Sequence, residues 1–146
     1  MNDHLHDEFI NPFKGLYREV KRVDLFWGLV ELQPSGSWGA YCRNVPMGKT
    51  IYGRPSSCDY VFAGSNFHPL GLAVKFSYQE QSGSVNEKFP YWIENMRLFS
   101  VPSVLILDGP SLRQDAVKWA KKQVDSKLIM VCSIEEFHAY LKRRPQ

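Results

Sequence analysis

An aspartate and a lysine carry the first chemical suggestion in this sequence. Asp59 stands in the run Cys58-Asp59-Tyr60-Val61-Phe62, and Lys75 in Leu72-Ala73-Val74-Lys75-Phe76-Ser77. Both runs are apolar and aromatic enough to read as neighbouring strands. A carboxylate and an ammonium group at adjacent strand ends suit metal-assisted attack on a phosphodiester. The carboxylate binds a hard divalent ion, and the lysine holds or deprotonates the attacking water. Strand alternation puts Ala73, Lys75, Ser77 and Gln79 on one face, while Val74, Phe76 and Tyr78 point into core.

Composition bounds what can surround these groups. The chain of 146 residues is expected to form a single domain, 1–146, with its own core. Its 44% hydrophobic and 23% charged residues are a globular balance, which sets aside disordered and membrane-spanning classes. A net charge of +3 admits an anionic partner without requiring one. Three cysteines (Cys42, Cys58, Cys132), odd in number and without CxxC spacing, predict reduced thiols in a cytoplasmic protein. No apolar run approaches membrane-spanning length, and the start MNDHLHDE is not a signal peptide, so no membrane partner is expected. His4, His6 and His68 lack partners at ligand spacing for zinc. No Gly-rich phosphate loop or nucleophile elbow points to a small-molecule enzyme.

The elements that must position Asp59 and Lys75 follow from periodicity. Phe9, Phe13, Leu16, Tyr17 and Val20 recur at helical spacing over residues 5–23. Pro12 divides that segment into two short helices or restarts it at Asn11. DLFWGLVELQ is rich in strand formers and predicts a strand; PSGSWG is a turn, WGAYCRN a short strand and NVPMGK a second turn. SNFHPLG is a hairpin loop between the two central strands. Ser84 and Glu87 form a capping box for a helix lined by Phe89, Trp92, Ile93 and Met96. VPSVLILDG predicts a strand buried on both faces, SLRQDAVKWAKKQVD an amphipathic helix and KLIMVCS another buried strand. Ser133 and Glu136 make a second capping box that opens the last helix. The order α-βββ-α-β-α-β-α predicts an α/β fold with a mixed central sheet flanked by helices.

That order, together with the stretch Gln79-Glu80-Gln81-Ser82-Gly83-Ser84 running on to Glu87-Lys88, resembles the PD-(D/E)XK nuclease superfamily of restriction enzymes, homing endonucleases and junction resolvases. The resemblance implies a restriction-endonuclease-like αβββαβ core over residues 5–108. It places an aspartate on the second core strand, which Asp59 matches, and Glu-x-Lys on the third. No Glu-x-Lys is present. Counted from the lysine, the triplet is Ala73-Val74-Lys75, with alanine, native or engineered, at the acid position. Counted back from Gln79 and Gly83-Ser84, it is Lys75-Phe76-Ser77. The second metal-binding oxygen must then come from the Gln79 amide, the Glu80 carboxylate or Glu8.

The resemblance implies a Mg²⁺-dependent endonuclease of double-stranded DNA, of restriction or homing type, with Mn²⁺ as a substitute ion. Asp59 and Glu8 would hold the metal, Lys75 would activate water and Gln79 would orient ligands. Arg54, Ser77, Gln81, Ser84 and Lys88 would contact DNA. Cutting two strands implies a homodimer or homotetramer, with DLFWGLVEL and the late helices bearing Trp119 and Phe137 as pairing surfaces. The alternative is a catalytically impaired nuclease fold that binds DNA.

Overall fold

Six strands, β1 (Arg18–Glu19), β2 (Gly39–Lys49), β3 (Pro55–Gly64), β4 (Leu72–Tyr78), β5 (Ser103–Asp108) and β6 (Leu128–Cys132), lie side by side in chain order. The structure is a computed structural model that describes residues 3–67, 71–80 and 84–143. β2, β3 and β4 are antiparallel, as tight connections allow, whereas β4, β5 and β6 are parallel. Parallel neighbours need a crossover, and helices α3 (Phe89–Met96) and α4 (Gln114–Lys121) supply it. β1 adds a short parallel edge beside β2.

Helices cover both faces of the sheet. On one face α2 (Val23–Leu32), α3 and α4 bury Phe26, Val30, Phe89, Ile93 and Ala120 against Val61, Ala73 and Leu105. On the other, α1 (Asp3–Ile10) and α5 (Ile134–Lys142) bury Phe9, Ile10, Phe137 and Leu141 against Phe62, Val74, Phe76 and Ile106. The Phe9 ring lies 5.3 Å from Phe76 and 5.7 Å from Phe137, which locks α1 and α5 to the sheet. The inward direction expected for Val74 and Phe76 is therefore the one found, whereas Tyr78, expected inward with them, is exposed where β4 ends.

Three local expectations are overturned. DLFWGLVELQ is helix α2, not a strand: Phe26 and Val30, one turn apart, are buried, while Leu25 and Leu32 face outward. Burial of one helical face outweighs the strand preference of its residues. The break expected at Pro12 is found, since α1 ends at Ile10 and Asn11–Phe13 is a separate 3₁₀ turn with proline in its first positions, but the helix expected on to residue 23 gives way to β1. NVPMGK is not a turn, because β2 continues through it, pairing Val45 with Cys58 and Pro46 with Ser57. The strand absorbs left-handed residues at Asn44 (φ 52°) and Gly48 (φ 89°), and the chain reverses only at Thr50–Arg54. The αβββαβ core thus opens with α2 rather than with residues 5–23.

The remaining elements keep their expected order. Ser84–Lys88 is a 3₁₀ turn leading into α3, whose N-cap is Lys88 with Pro90 in the first turn; the capping box expected from Ser84 rests on a side chain outside the described residues. The second capping box is formed: Ser133 Oγ accepts from Glu136 N at 3.1 Å and Glu136 Oε1 accepts from Ser133 N at 3.0 Å. β5 is buried between two parallel neighbours, whereas β6 is the sheet edge and only partly buried. All three cysteines are free and buried.

Candidate active site

The β3–β4 ladder pairs Phe62 with Leu72, Val61 with Ala73 and Tyr60 with Val74, and stops there. Beyond it the aspartate side chain takes over the role of the partner strand. Asp59 Oδ2 accepts the Phe76 N–H at 2.6 Å, a short charge-assisted bond that satisfies a donor the ladder leaves unpaired. Asp59 is half-buried, and its Oδ1 makes no hydrogen bond among the described residues. One carboxylate oxygen is structural, and the other is left without a hydrogen-bond partner among the described residues where the β3–β4 ladder ends.

Continuing the register places Lys75 opposite Asp59, but the two do not form an ion pair among the described residues. Lys75 turns toward α3, with Nζ 4.7 Å from the centroid of the Trp92 ring. The ring's negative face holds the ammonium group without neutralising it. Lys75 and Trp92 line a cleft of about 160 Å³ with Thr50, Pro55, Ser56, Ser57 and Asn95. Charge and carboxylate therefore lie at opposed register positions just beyond the end of the β3–β4 ladder but are held by different partners.

The two motif registers have different physical standing. Ala73 is 0% exposed, sits opposite Val61 and is part of the apolar core under α2 and α3. Its neighbour on β5 is buried Ser103, whose hydroxyl donates to Lys127 O at 3.3 Å, so the triplet Ala73-Val74-Lys75 has a packing residue where the carboxylate belongs. In the other register Ser77 stands at the lysine position. Ser77 and Gln79 are both buried, and Gln79 Nε2 donates to Ser77 Oγ at 2.5 Å. Gln79 is also pinned by its backbone, donating to Asp108 O at 2.8 Å and accepting from Ser111 N at 3.0 Å. Gly109 permits that approach: its φ is +105°, and a Cβ there would fall 2.4 Å from the Gln79 carbonyl oxygen.

The other residues singled out by sequence are spread around this point. Glu8 lies on the exposed side of α1 and pairs with His4 at 3.3 Å, while His6, Phe9 and Ile10 face inward. The Glu80 side chain is exposed, and its carbonyl accepts from Ser111 Oγ at 3.1 Å. Arg54 is exposed in the β2–β3 turn and Lys88 is exposed before α3. Ser77 is buried beneath its neighbours rather than presented to a partner. Gln81, His68 and the side chain of Ser84 lie outside the described residues. Among the described residues, no three or more His, Cys, Asp or Glu side chains gather as a metal-binding group.

Sequence reasoning missed Trp92 and Asn95 as parts of the site. Trp92 reads as one of a line of helix core residues, yet it carries Lys75. Asn95, three positions on, is buried and its Oδ1 accepts from Ile51 N at 2.9 Å, tying α3 to the β2–β3 turn. A buried asparagine on an apolar helix face was the available signal.

Mg²⁺ commonly takes one or two carboxylates and completes its shell with water and substrate phosphates, rather than using an all-protein cage. Asp59, with a hard oxygen left unengaged where the β3–β4 ladder ends, fits that mode of binding.

A family model described as a PD-(D/E)XK nuclease superfamily domain matches residues 14–144. The chain belongs to this superfamily, whose members are nucleases that generally use divalent metals. The match begins beyond α1, in keeping with a core opened by α2. Neither the curated proteins nor the solved structures gave a match.

Proposed function

We propose that this member of the PD-(D/E)XK nuclease superfamily is a Mg²⁺-dependent endonuclease that hydrolyses phosphodiesters in double-stranded DNA, as a restriction or homing enzyme of the cytoplasm. The observation that carries the reading is the unengaged Oδ1 of Asp59 at the point where β3 and β4 part, at the register position opposite Lys75. Asp59 would hold Mg²⁺, or Mn²⁺ in its place, and the bound ion supplies Lewis-acid chemistry toward the phosphate and its attacking water. Lys75, a donor-only group, leaves the Trp92 face to orient that water and to stabilise charge growing on the phosphate. Gln79 and Ser77, bonded to each other, keep the end of β4 straight beneath it. Arg54 and Lys88 hold flanking phosphates, so binding weakens as salt rises.

Two-strand cutting calls for two sites related by symmetry, which a homodimer or homotetramer supplies. Leu25 and Leu32, 56% and 73% exposed on α2, and the exposed Trp119 offer the apolar area for it. Phe137, suspected of pairing from sequence, is instead fully buried on the sheet-facing side of α5.

A second reading, a DNA-binding module without cleavage, is favoured by the burial of Ala73 in apolar core. Supercoiled plasmid with Mg²⁺ or Mn²⁺ separates the two. Conversion to nicked or linear DNA by the native chain, abolished in Asp59→Asn, supports the enzyme. Binding without any conversion in either metal supports the module.

A further inference from the structure

The β2–β3 turn presents an aromatic ring to solvent at considerable structural effort. Tyr52 is 74% exposed, and its ring stacks on Tyr91 of α3 with centroids 5.5 Å apart and planes at 24°. The turn beneath it is fixed from several sides. Thr50 N donates to Arg54 O at 2.7 Å and Gly53 N donates to Thr50 O at 2.9 Å. Thr50 Oγ1 accepts from the backbone of both Tyr52 and Arg54, and buried Asn95 holds Ile51 N. One face of Tyr52 stacks on Tyr91, and the residue as a whole stays 74% exposed. An exposed tyrosine on a freely moving turn would gain little from such anchoring; a ring held ready for a second stacking partner would gain preorganisation.

The charges around the ring specify what that partner is. Lys49 and Arg54 flank the turn, and Lys88 lies one helical turn before Tyr91; all three are exposed, and none is in an ion pair among the described residues. The Lys75–Trp92 cleft adjoins through Thr50 and Asn95. An exposed aromatic ring, with unpaired cations on its own turn and on the segment leading to its stacking partner, matches a nucleobase with its neighbouring phosphates. A base within an intact duplex has both faces covered and cannot reach it.

We propose that Tyr52, backed by Tyr91, is a stacking platform for an unpaired base of bound DNA, with Lys49, Arg54 and Lys88 holding the adjacent phosphates. The inference rests on the reading that this domain engages DNA, and it adds that the preferred substrate carries unpaired bases near the cut.

The test is fluorescence anisotropy in EDTA, so that no cleavage intervenes, with a labelled duplex bearing a central unpaired bubble and a fully paired duplex of the same length. The native chain should bind the bubble more tightly. Tyr52→Ala should weaken bubble binding by roughly 5- to 150-fold, the range for loss of one base–aromatic stack, with a smaller effect on the paired duplex. Tyr52→Phe should keep the preference. Tyr52→Leu, which preserves apolar contact with Tyr91, should lose it and so controls for damage to the turn. Equal binding of the two DNAs, or a bubble preference untouched by Tyr52→Ala and Tyr52→Leu, overturns the platform while leaving DNA binding standing. Failure to bind either DNA overturns the reading it rests on.

Discussion

Replacing Asp59 by alanine and by asparagine separates two roles of one carboxylate. In the native structure Oδ2 accepts the Phe76 N–H at 2.6 Å where the β3–β4 ladder ends. A hydrogen bond to a charged group contributes about 1.5–3 kcal/mol, and a neutral one about 0.5–1.5 kcal/mol. Asparagine keeps a carbonyl oxygen at the same place, so Asp59→Asn should lose about 1 kcal/mol. Alanine leaves the Phe76 N–H without an acceptor in a half-buried gap, at a cost of about 1–3 kcal/mol. For a chain of this size 1 kcal/mol is about 4 °C in Tm. Thermal melting by circular dichroism should therefore place Asp59→Asn within about 4 °C of the native chain and Asp59→Ala roughly 4–12 °C below it. Plasmid cleavage in Mg²⁺ should be lost in both, because both lack the anionic Oδ1. Two results would refute the reasoning. Equal melting of native chain and Asp59→Ala would show that the carboxylate does not complete the sheet. Undiminished cleavage by Asp59→Asn would remove Asp59 from the site.

Four further outcomes follow from the same geometry. Lys75→Ala should cost orders of magnitude in cleavage but no more than about 1 kcal/mol in stability, the scale of an exposed cation–π contact; a large Tm loss with unchanged cleavage would make it a strand residue only. Ala73→Glu should not rescue or raise activity and should destabilise by about 3 kcal/mol or more, since it buries a carboxyl opposite Val61; a soluble, native-like melt would contradict the packing. Burial pushes the thiols of Cys58 and Cys132 up to about 12 and raises that of Cys42, so the native chain should react slowly with a thiol-directed disulfide reagent at pH 8 and yield three thiols in denaturant. Burial lowers the proton affinity of His6 and His138 below the ordinary value of 6.5, so the unfolded chain binds protons more readily; stability should be complete above that pH and fall as pH drops through it, and a flat Tm between pH 7.5 and 5.5 would contradict this.

Local pattern was enough to place the strands that hold Asp59 and Lys75 and much of the frame around them. Alternation over residues 72–79 put Lys75, Ser77 and Gln79 on one face because strand side chains have a period of two whatever surrounds them. The apolar run at 103–108 became the buried parallel strand, and Ser133 with Glu136 became a capping box, since both signals are local. Tertiary structure decided the rest. Leu25, Phe26, Trp27 and Val30 satisfy either period; they became a helix because Phe26 and Val30 fill the core beside Ala73. Asn44 and Gly48 signal a turn locally, yet pairing with β3 carried β2 through both. Glu8, near in sequence to buried Phe9, faces away with His4, because the aromatic core takes only one side of α1. The bond from Phe76 N–H to Asp59, and the coverage of Lys75 by Trp92, join residues 17 positions apart in each case. No local pattern encodes such contacts, because they depend on where the ladder ends and on which helix the sheet receives above it.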